Sequence, residues 1–318
     1  MIAQGKAYEP EDRFFEDVEF VLKYGLLNCL LKDRTTGKNI IWATGGADEK
    51  EEIRIGDVKK RIRPRWIKDK EARKQRTRSN AEVFTPSAIC REMVRALEEV
   101  GFNPEKASLT STCLEITCGE APFIASRYDM ETGDTIGVKE RFGLLDKKLR
   151  RAGKDGQTLE EYKELALSAL KSVYGYEFQG DSLFLGRLNV LMDFVEHWKE
   201  EWRTEPDSGS LEEAAEAVSW NFWQMDGLSK DCLPPLKEPK AKRPEAISIF
   251  AAAEGQRGEL KDTSSPCVIK LWNEGPKGRK VEFRELFAGG KPLERVGREK
   301  HRSTHSSSAP GMTPLFGL

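Results

Sequence analysis

The stretch that decides the fold is Leu114-Glu115-Ile116-Thr117-Cys118-Gly119-Glu120-Ala121-Pro122-Phe123. Leu114, Glu115 and Ile116 read as the end of a strand, and Thr117-Cys118-Gly119 as a turn of small residues. Such a turn lets backbone N–H groups approach a ligand closely. Two similar segments follow. Val173–Glu177 (VYGYE) alternates like a strand and ends on an acid, and residues 220–225 read as a third strand that ends at Asp226-Gly227-Leu228. Helical patterns separate them. Thr158-x-x-Glu161 is a capping box that opens a helix running to about Val173. From Asp181 a long helix places Leu183, Leu188, Leu191, Val195, Trp198 and Trp202 on its inner side, and a shorter helix is expected over 211–218. Alternating strands and helices predict an α/β fold with a doubly wound sheet over residues 80–230.

Upstream, Thr85-Pro86 reads as a cap and a first-turn proline. Ile89, Met93, Val94 and Leu97 then keep helical spacing up to a stop at Gly101. Residues 126–157 are polar and dotted with glycine, and are expected to form a decorated surface loop. Residues 1–79 form an N-terminal extension. In it, 11–32 is expected to be one amphipathic helix, and 39–44 and 51–55 two short strands around a Gly45-Gly46 turn. Val58–Arg78 carries eleven Lys/Arg against two acids, with Trp66 among them. This basic stripe suits a phosphate backbone or a solvated linker equally well. Residues 231–318 form a third region. It comprises a Pro- and Lys-rich linker, a hairpin from 267–272 and 281–287, and a tail from Gly289 expected to be disordered.

With 52 Lys+Arg against 53 Asp+Glu, the chain has no bulk charge to drive binding to nucleic acid or membrane. No apolar run approaches the ~20 residues that span a bilayer. The start lacks a signal-peptide pattern, so the expected location is cytoplasmic. The six cysteines form no C-x-x-C pair and only three histidines are present, which argues against a zinc site. No Gly-x-x-x-x-Gly-Lys loop and no Gly-x-Gly-x-x-Gly occurs, which argues against an ATPase or an NAD enzyme.

In a doubly wound sheet, ligands sit at the C-terminal strand ends. Glu177 can accept both hydroxyls of a ribose there, and Asp226 an exocyclic amine. Together with the turn at Cys118-Gly119 they describe a nucleoside-containing ligand held without a phosphate site.

Four segments in this order resemble the cofactor half of the N6-adenine DNA methyltransferases, the modification subunits of bacterial restriction–modification systems. They are AEVFTP (81–86), LEITCGEAPF, YGYE and QMDGL. The resemblance covers residues 78–230. It implies a Rossmann-like class I fold that binds S-adenosyl-L-methionine. It also implies that Phe84, Thr85 and Pro86 lie at the methionine part, Glu115, Cys118 and Gly119 on the binding loop, Glu177 at the ribose and Asp226 at the adenine. The implied partners are DNA and a second restriction–modification subunit. Lys59, Lys60, Arg61, Arg63 and Arg65 are the candidate DNA contacts. Ala121 departs from the family, which has a second glycine there. The family's Asn/Asp-Pro-Pro-aromatic catalytic motif, which holds a flipped adenine, is not found. The Pro-Pro nearest downstream of Asp226 sits in Asp231-Cys232-Leu233-Pro234-Pro235-Leu236, with leucine on both sides. Three readings follow: a piece of a longer enzyme, catalytic residues from a partner, or a catalytically silent cofactor-binding relative that acts as a DNA- or partner-binding regulator. A nuclease ranks last, for want of a Pro-Asp…Asp/Glu-x-Lys arrangement. Pro266-Cys267 and His197 read as structural rather than catalytic.

Overall fold

The computed structural model describes residues 10–44, 46–68, 85–99, 109–233, 265–274, 277–287 and 313–315. Its centre is a parallel sheet. Strands β1 (Cys113–Glu115), β2 (Val173–Glu177) and β3 (Phe222–Gln224) lie side by side, with Glu115 opposite Gly175 and Glu177 opposite Gln224. Helices α1 (Pro10–Lys23), α2 (Leu27–Leu31), α3 (Ile55–Arg61) and α4 (Ser87–Glu99) precede β1. Helices α5 (Leu144–Asp155) and α6 (Leu159–Lys171) connect β1 to β2, and α7 (Gly180–Trp202) and α8 (Ser208–Asn221) connect β2 to β3. Beyond them, β4 (Val268–Leu271) and β5 (Arg279–Glu282) form an antiparallel hairpin. A sixth strand, β6 (Thr313–Leu315), pairs parallel with the free side of β1, giving the order β3-β2-β1-β6.

The strand residues alternate between two apolar clusters, as a pleated ribbon requires. Cys113, Val173 and Phe222 point into the larger one, with α7, α8 and the N-terminal helices. Leu114, Tyr174 and Trp223 point the other way, onto Cys267, Ile269, Val281 and Phe283 of the hairpin and its flanks. The α/β class holds, with a hairpin covering the second face among the described residues. Helix α7 is buried along most of its length, from Gly180 to Trp198. That is the position of a helix apolar on most of its faces.

Several local expectations hold. The strand at 173–177, the helix opened by the Thr158–Glu161 capping box and the terminal hairpin are all present. Others are corrected. The helix expected over 11–32 is two, because Gly25 adopts φ +69° and turns the chain between α1 and α2. The strands expected at 39–44 and 51–55 reduce to isolated bridges, Ile41 with Glu52 and Asn39 with Lys32. Instead Gln224 holds the segment to the β3 end, its Oε1 accepting from Ile41 N (2.8 Å) and its Nε2 donating to Ile41 O (2.8 Å). The helix expected over 211–218 starts at Ser208, where Asp207 accepts from Ser210 N at 3.0 Å. The tail contributes β6 where disorder was expected.

The largest correction concerns residues 126–157. Far from decorating the surface, they enter the core: Arg127, Met130, Leu144, Leu145, Asp146, Lys148 and Leu149 are buried. Paired charges make this possible. Arg127 donates to both carboxylate oxygens of Asp17 on α1 (2.8 and 3.0 Å) and also reaches Glu196 on α7. Arg141 lies 2.7 Å from Asp193 and bonds Glu196, which Arg13 also grips at 2.8 and 2.9 Å. A segment that looks polar along the chain thus becomes the polar seam between two helices.

Candidate functional site

The chain leaves β1 toward β2 and β3 on one side, while β6 occupies the other. The C-terminal end of β1 is therefore the topological switch point, where a parallel sheet opens a crevice for ligands. Glu115 is the last residue of that strand. The loop after it alternates through the left-handed region, with φ +49° at Thr117, +55° at Gly119 and +58° at Ala121. A β-branched residue there costs roughly 1–2 kcal/mol, so surrounding contacts must hold the loop in place. Ala121 is fully buried in this left-handed conformation.

Those contacts come from β2 and α7. Gly119 N donates to Glu177 Oε2 at 2.9 Å, and Cys118 N donates to Tyr176 O at 2.9 Å. The other Glu177 oxygen accepts from Phe178 N (2.9 Å) and Gln179 N (3.1 Å). Glu177 thus latches the β1 loop to the β2 end. Two glycines allow the close approach. A Cβ on Gly175 would lie 2.9 Å from the Phe222 ring and 3.0 Å from Cys118 Sγ, and one on Gly186 would lie 2.8 Å from Gly119 O.

Glu115 stands differently. Its Oε2 is shielded from solvent and has no hydrogen-bond partner. Burial, and then the neighbouring Glu177 charge, push its carboxyl well above the ordinary range. The thiols around it are inert as nucleophiles. Burial and then Glu115 raise Cys90 on α4 to about 12, and burial with both acids raises Cys118 well up. Cys90 also ties α4 to Thr85, its Sγ lying 3.7 Å from Thr85 O. Thr85 and Pro86 directly precede α4 and are half-buried. Phe84 lies outside the described residues.

Asp226 is half-buried beyond β3 and organises a turn, its Oδ1 accepting from Leu228 N (2.8 Å) and Ser229 N (3.3 Å). Gly227 lies against the Tyr176 ring, which links this turn to the β2 end. Phe178 and Leu228, two positions after Tyr176 and Asp226, are exposed apolar residues at 43% and 93%. The strand ends thus present acids beside exposed apolar surface.

Of the basic residues up to Lys68, most are tied into the body. Lys59 pairs with Glu19, and Arg61 pairs with Asp48 while its guanidinium lies 4.0 Å from the Trp42 ring centre. Arg63 donates to the carbonyls of Lys59 (2.9 Å) and Ile62 (2.7 Å). Lys60 is exposed. The segment also reaches the loop after β1, where sequence reasoning missed Glu120 and Asn189. Arg65 N donates to buried Glu120 Oε1 (2.8 Å), Trp66 packs on Tyr128 with ring centres 4.0 Å apart, and Asn189 Nδ2 donates to Glu120 O (3.1 Å). Glu120 beside Cys118-Gly119 was the available signal, because an acid buried in a tight loop needs partners.

Asp146, Asp193 and His197 meet in the core, with His197 Nε2 3.2 Å from Asp146 Oδ1. Ser126 N, Gly143 N and Arg141 already serve these carboxylates. His197 and Cys267 are both buried, the Cys267 thiol being pushed up by burial. No described helix is long and apolar enough to cross a membrane. Comparison with known proteins finds no family model, no curated relative and no solved structure that matches this chain.

Proposed function

We propose that this chain is an S-adenosylmethionine-binding protein of the N6-adenine DNA methyltransferase type, with a Rossmann-like core. One observation carries the reading: an acid-ended strand, a left-handed small-residue loop and a second strand-end acid converge at the switch point of a parallel sheet. The residues fit the group. Glu115 keeps an unpartnered oxygen, Glu177 holds the Gly119 backbone at the β2 end, and Asp226 stands at the next strand end beside exposed Leu228. The cofactor supplies an activated methyl group when bound. The chain's own residues bind it, orient it and present the Cys118-Gly119 backbone to it.

The second reading, a cofactor-binding regulator that transfers no methyl group, rests on a specific observation. The residues after Asp226 turn back to pair with Ser265 and Pro266, and Leu233 stands where the catalytic Asn or Asp would precede Pro-Pro. Titration calorimetry with S-adenosylmethionine tests both. Binding abolished by Glu177→Ala and by Asp226→Ala, in variants whose circular dichroism is unchanged, supports the site. A wild-type chain that binds nothing refutes it. A methyl-transfer assay on unmethylated DNA then separates enzyme from regulator.

A further inference from the structure

We infer that the β4-β5 hairpin and the helix ends beside it grip the phosphate backbone of duplex DNA, through Lys171, Lys270 and Lys280 set around Trp220 and Trp272. This surface is independent of the strand-end site. Lys171 ends α6 and Trp220 lies in the last turn of α8, just before β2 and β3 begin. It therefore occupies the N-terminal ends of the strands, the opposite end of the sheet from Glu115, Glu177 and Asp226.

The hairpin register sets Lys270 opposite Lys280. Like charges directly opposite each other destabilise a strand pair. In a chain of net charge −1 this repulsion is a local feature and not a product of bulk charge. More cations crowd the two rings beside the pair. Lys280 Nζ lies 4.8 Å, Lys270 Nζ 5.9 Å and the Arg34 guanidinium 5.6 Å from the Trp220 ring centre. Lys270 Nζ lies 3.8 Å and Lys171 Nζ 5.1 Å from the Trp272 ring centre. Trp272 is itself fixed, its Nε1 donating to Asn221 Oδ1 at 2.7 Å. Glu216 and Glu213 answer only part of this charge, at 3.4 Å from Lys270 and 2.6 Å from Lys171. Lys280 is exposed and forms no ion pair among the described residues.

A bound anion relieves the repulsion that the fold leaves. Planar carboxylates are met best by arginine forks, and Arg34 is spent on Ser219 Oγ (2.7 Å) and Cys29 Sγ (3.1 Å). The lysine tips are point charges, which suit phosphates. A two-stranded ribbon also fits the width of the DNA major groove. None of the exposed large apolar side chains among the described residues lies on this surface, which argues against a membrane.

The experiment follows the fluorescence anisotropy of a labelled duplex of about 20 base pairs with the full chain, from about 50 to 200 mM salt. It compares the wild type with Lys270→Gln/Lys280→Gln and with a control, Lys139→Gln/Arg203→Gln, which removes the same charge from two exposed partners of Glu200. The hairpin variant should bind about tenfold or more weakly at low salt. Its slope of log affinity against log salt should fall by about 2, at about 0.9 per phosphate contact, while the control shifts affinity less than about twofold. Equal losses in the two variants overturn the inference, because diffuse charge then explains the binding. A wild type that binds no duplex at about 50 mM salt also overturns it. Poly-glutamate bound as tightly as the duplex, and lost in the same variant, assigns the surface to an acidic protein and overturns the DNA reading. Should circular dichroism show the double variant misfolded, Lys280→Gln alone decides: its slope should fall by about 1, and an unchanged slope refutes the inference.

Discussion

Replacing Arg127 with alanine tests whether residues 126–157 belong to the core. Arg127 is 1% exposed and holds Asp17 through two bonds of 2.8 and 3.0 Å, as well as Glu196. Its removal strands buried Asp17. Glu196 fares better, because Arg13 and Arg141 remain beside it. Stranding a buried partner costs about 3–5 kcal/mol. With Glu196 still paired, the lower end applies, about 3 kcal/mol. In a chain of 318 residues that lowers the melting temperature by roughly 4–5 °C. The pH profile adds a second readout. Burial pushes Glu196 up, but Arg127 and Arg141 overcome it and hold the carboxyl well below its ordinary range. Its contribution is therefore complete above the unfolded carboxyl range and disappears as pH falls through the depressed folded value. Arg127→Ala should flatten this acid-side loss. Urea unfolding at pH 3 and pH 7.5 measures both effects. The double variant Asp17→Asn/Arg127→Met should recover more than half the loss, since removing both partners spares the stranded charge. A loss under about 0.5 kcal/mol, the value for an ordinary surface arginine, refutes the buried seam.

Gly180→Ala places a Cβ 2.0 Å from the Ile41 carbonyl oxygen. It should cost about 1–3 kcal/mol, with hydrogen exchange rising at 39–44, and unchanged stability would show that this packing is wrong. Thr158→Ala removes the hydroxyl that accepts from Glu161 N at 3.2 Å. It should cost about 0.5–2 kcal/mol, with Thr158→Ser close to wild type in thermal melts.

What the sequence determined by itself is what near neighbours decide. Thr158 and Glu161 are three residues apart and close their cap without help from elsewhere. Val173–Glu177 alternates because its two faces meet different surroundings. The Cys118-Gly119 turn announces a close backbone approach, and the structure places it at the switch point. Glu115, Cys118, Gly119 and Glu177 were therefore legible as one neighbourhood. Asp226 was legible as a strand-end acid, and the structure shows the turn it makes.

Tertiary structure decided the rest, through partners far apart along the chain. Arg127 and Asp17 are 110 residues apart, and Gln224 and Ile41 are 183. Nothing local marks Arg127 as buried. A charged residue reads as solvated until its counter-charges are in place, since an unpaired charge could not enter the core at all. Residues 313–315 likewise carry too short a pattern to announce a strand, and β1 supplies the edge that orders them. Periodicity and caps act over a turn or a pleat, whereas ion pairs and sheet edges act across space. Only the folded chain brings such partners within reach of one another.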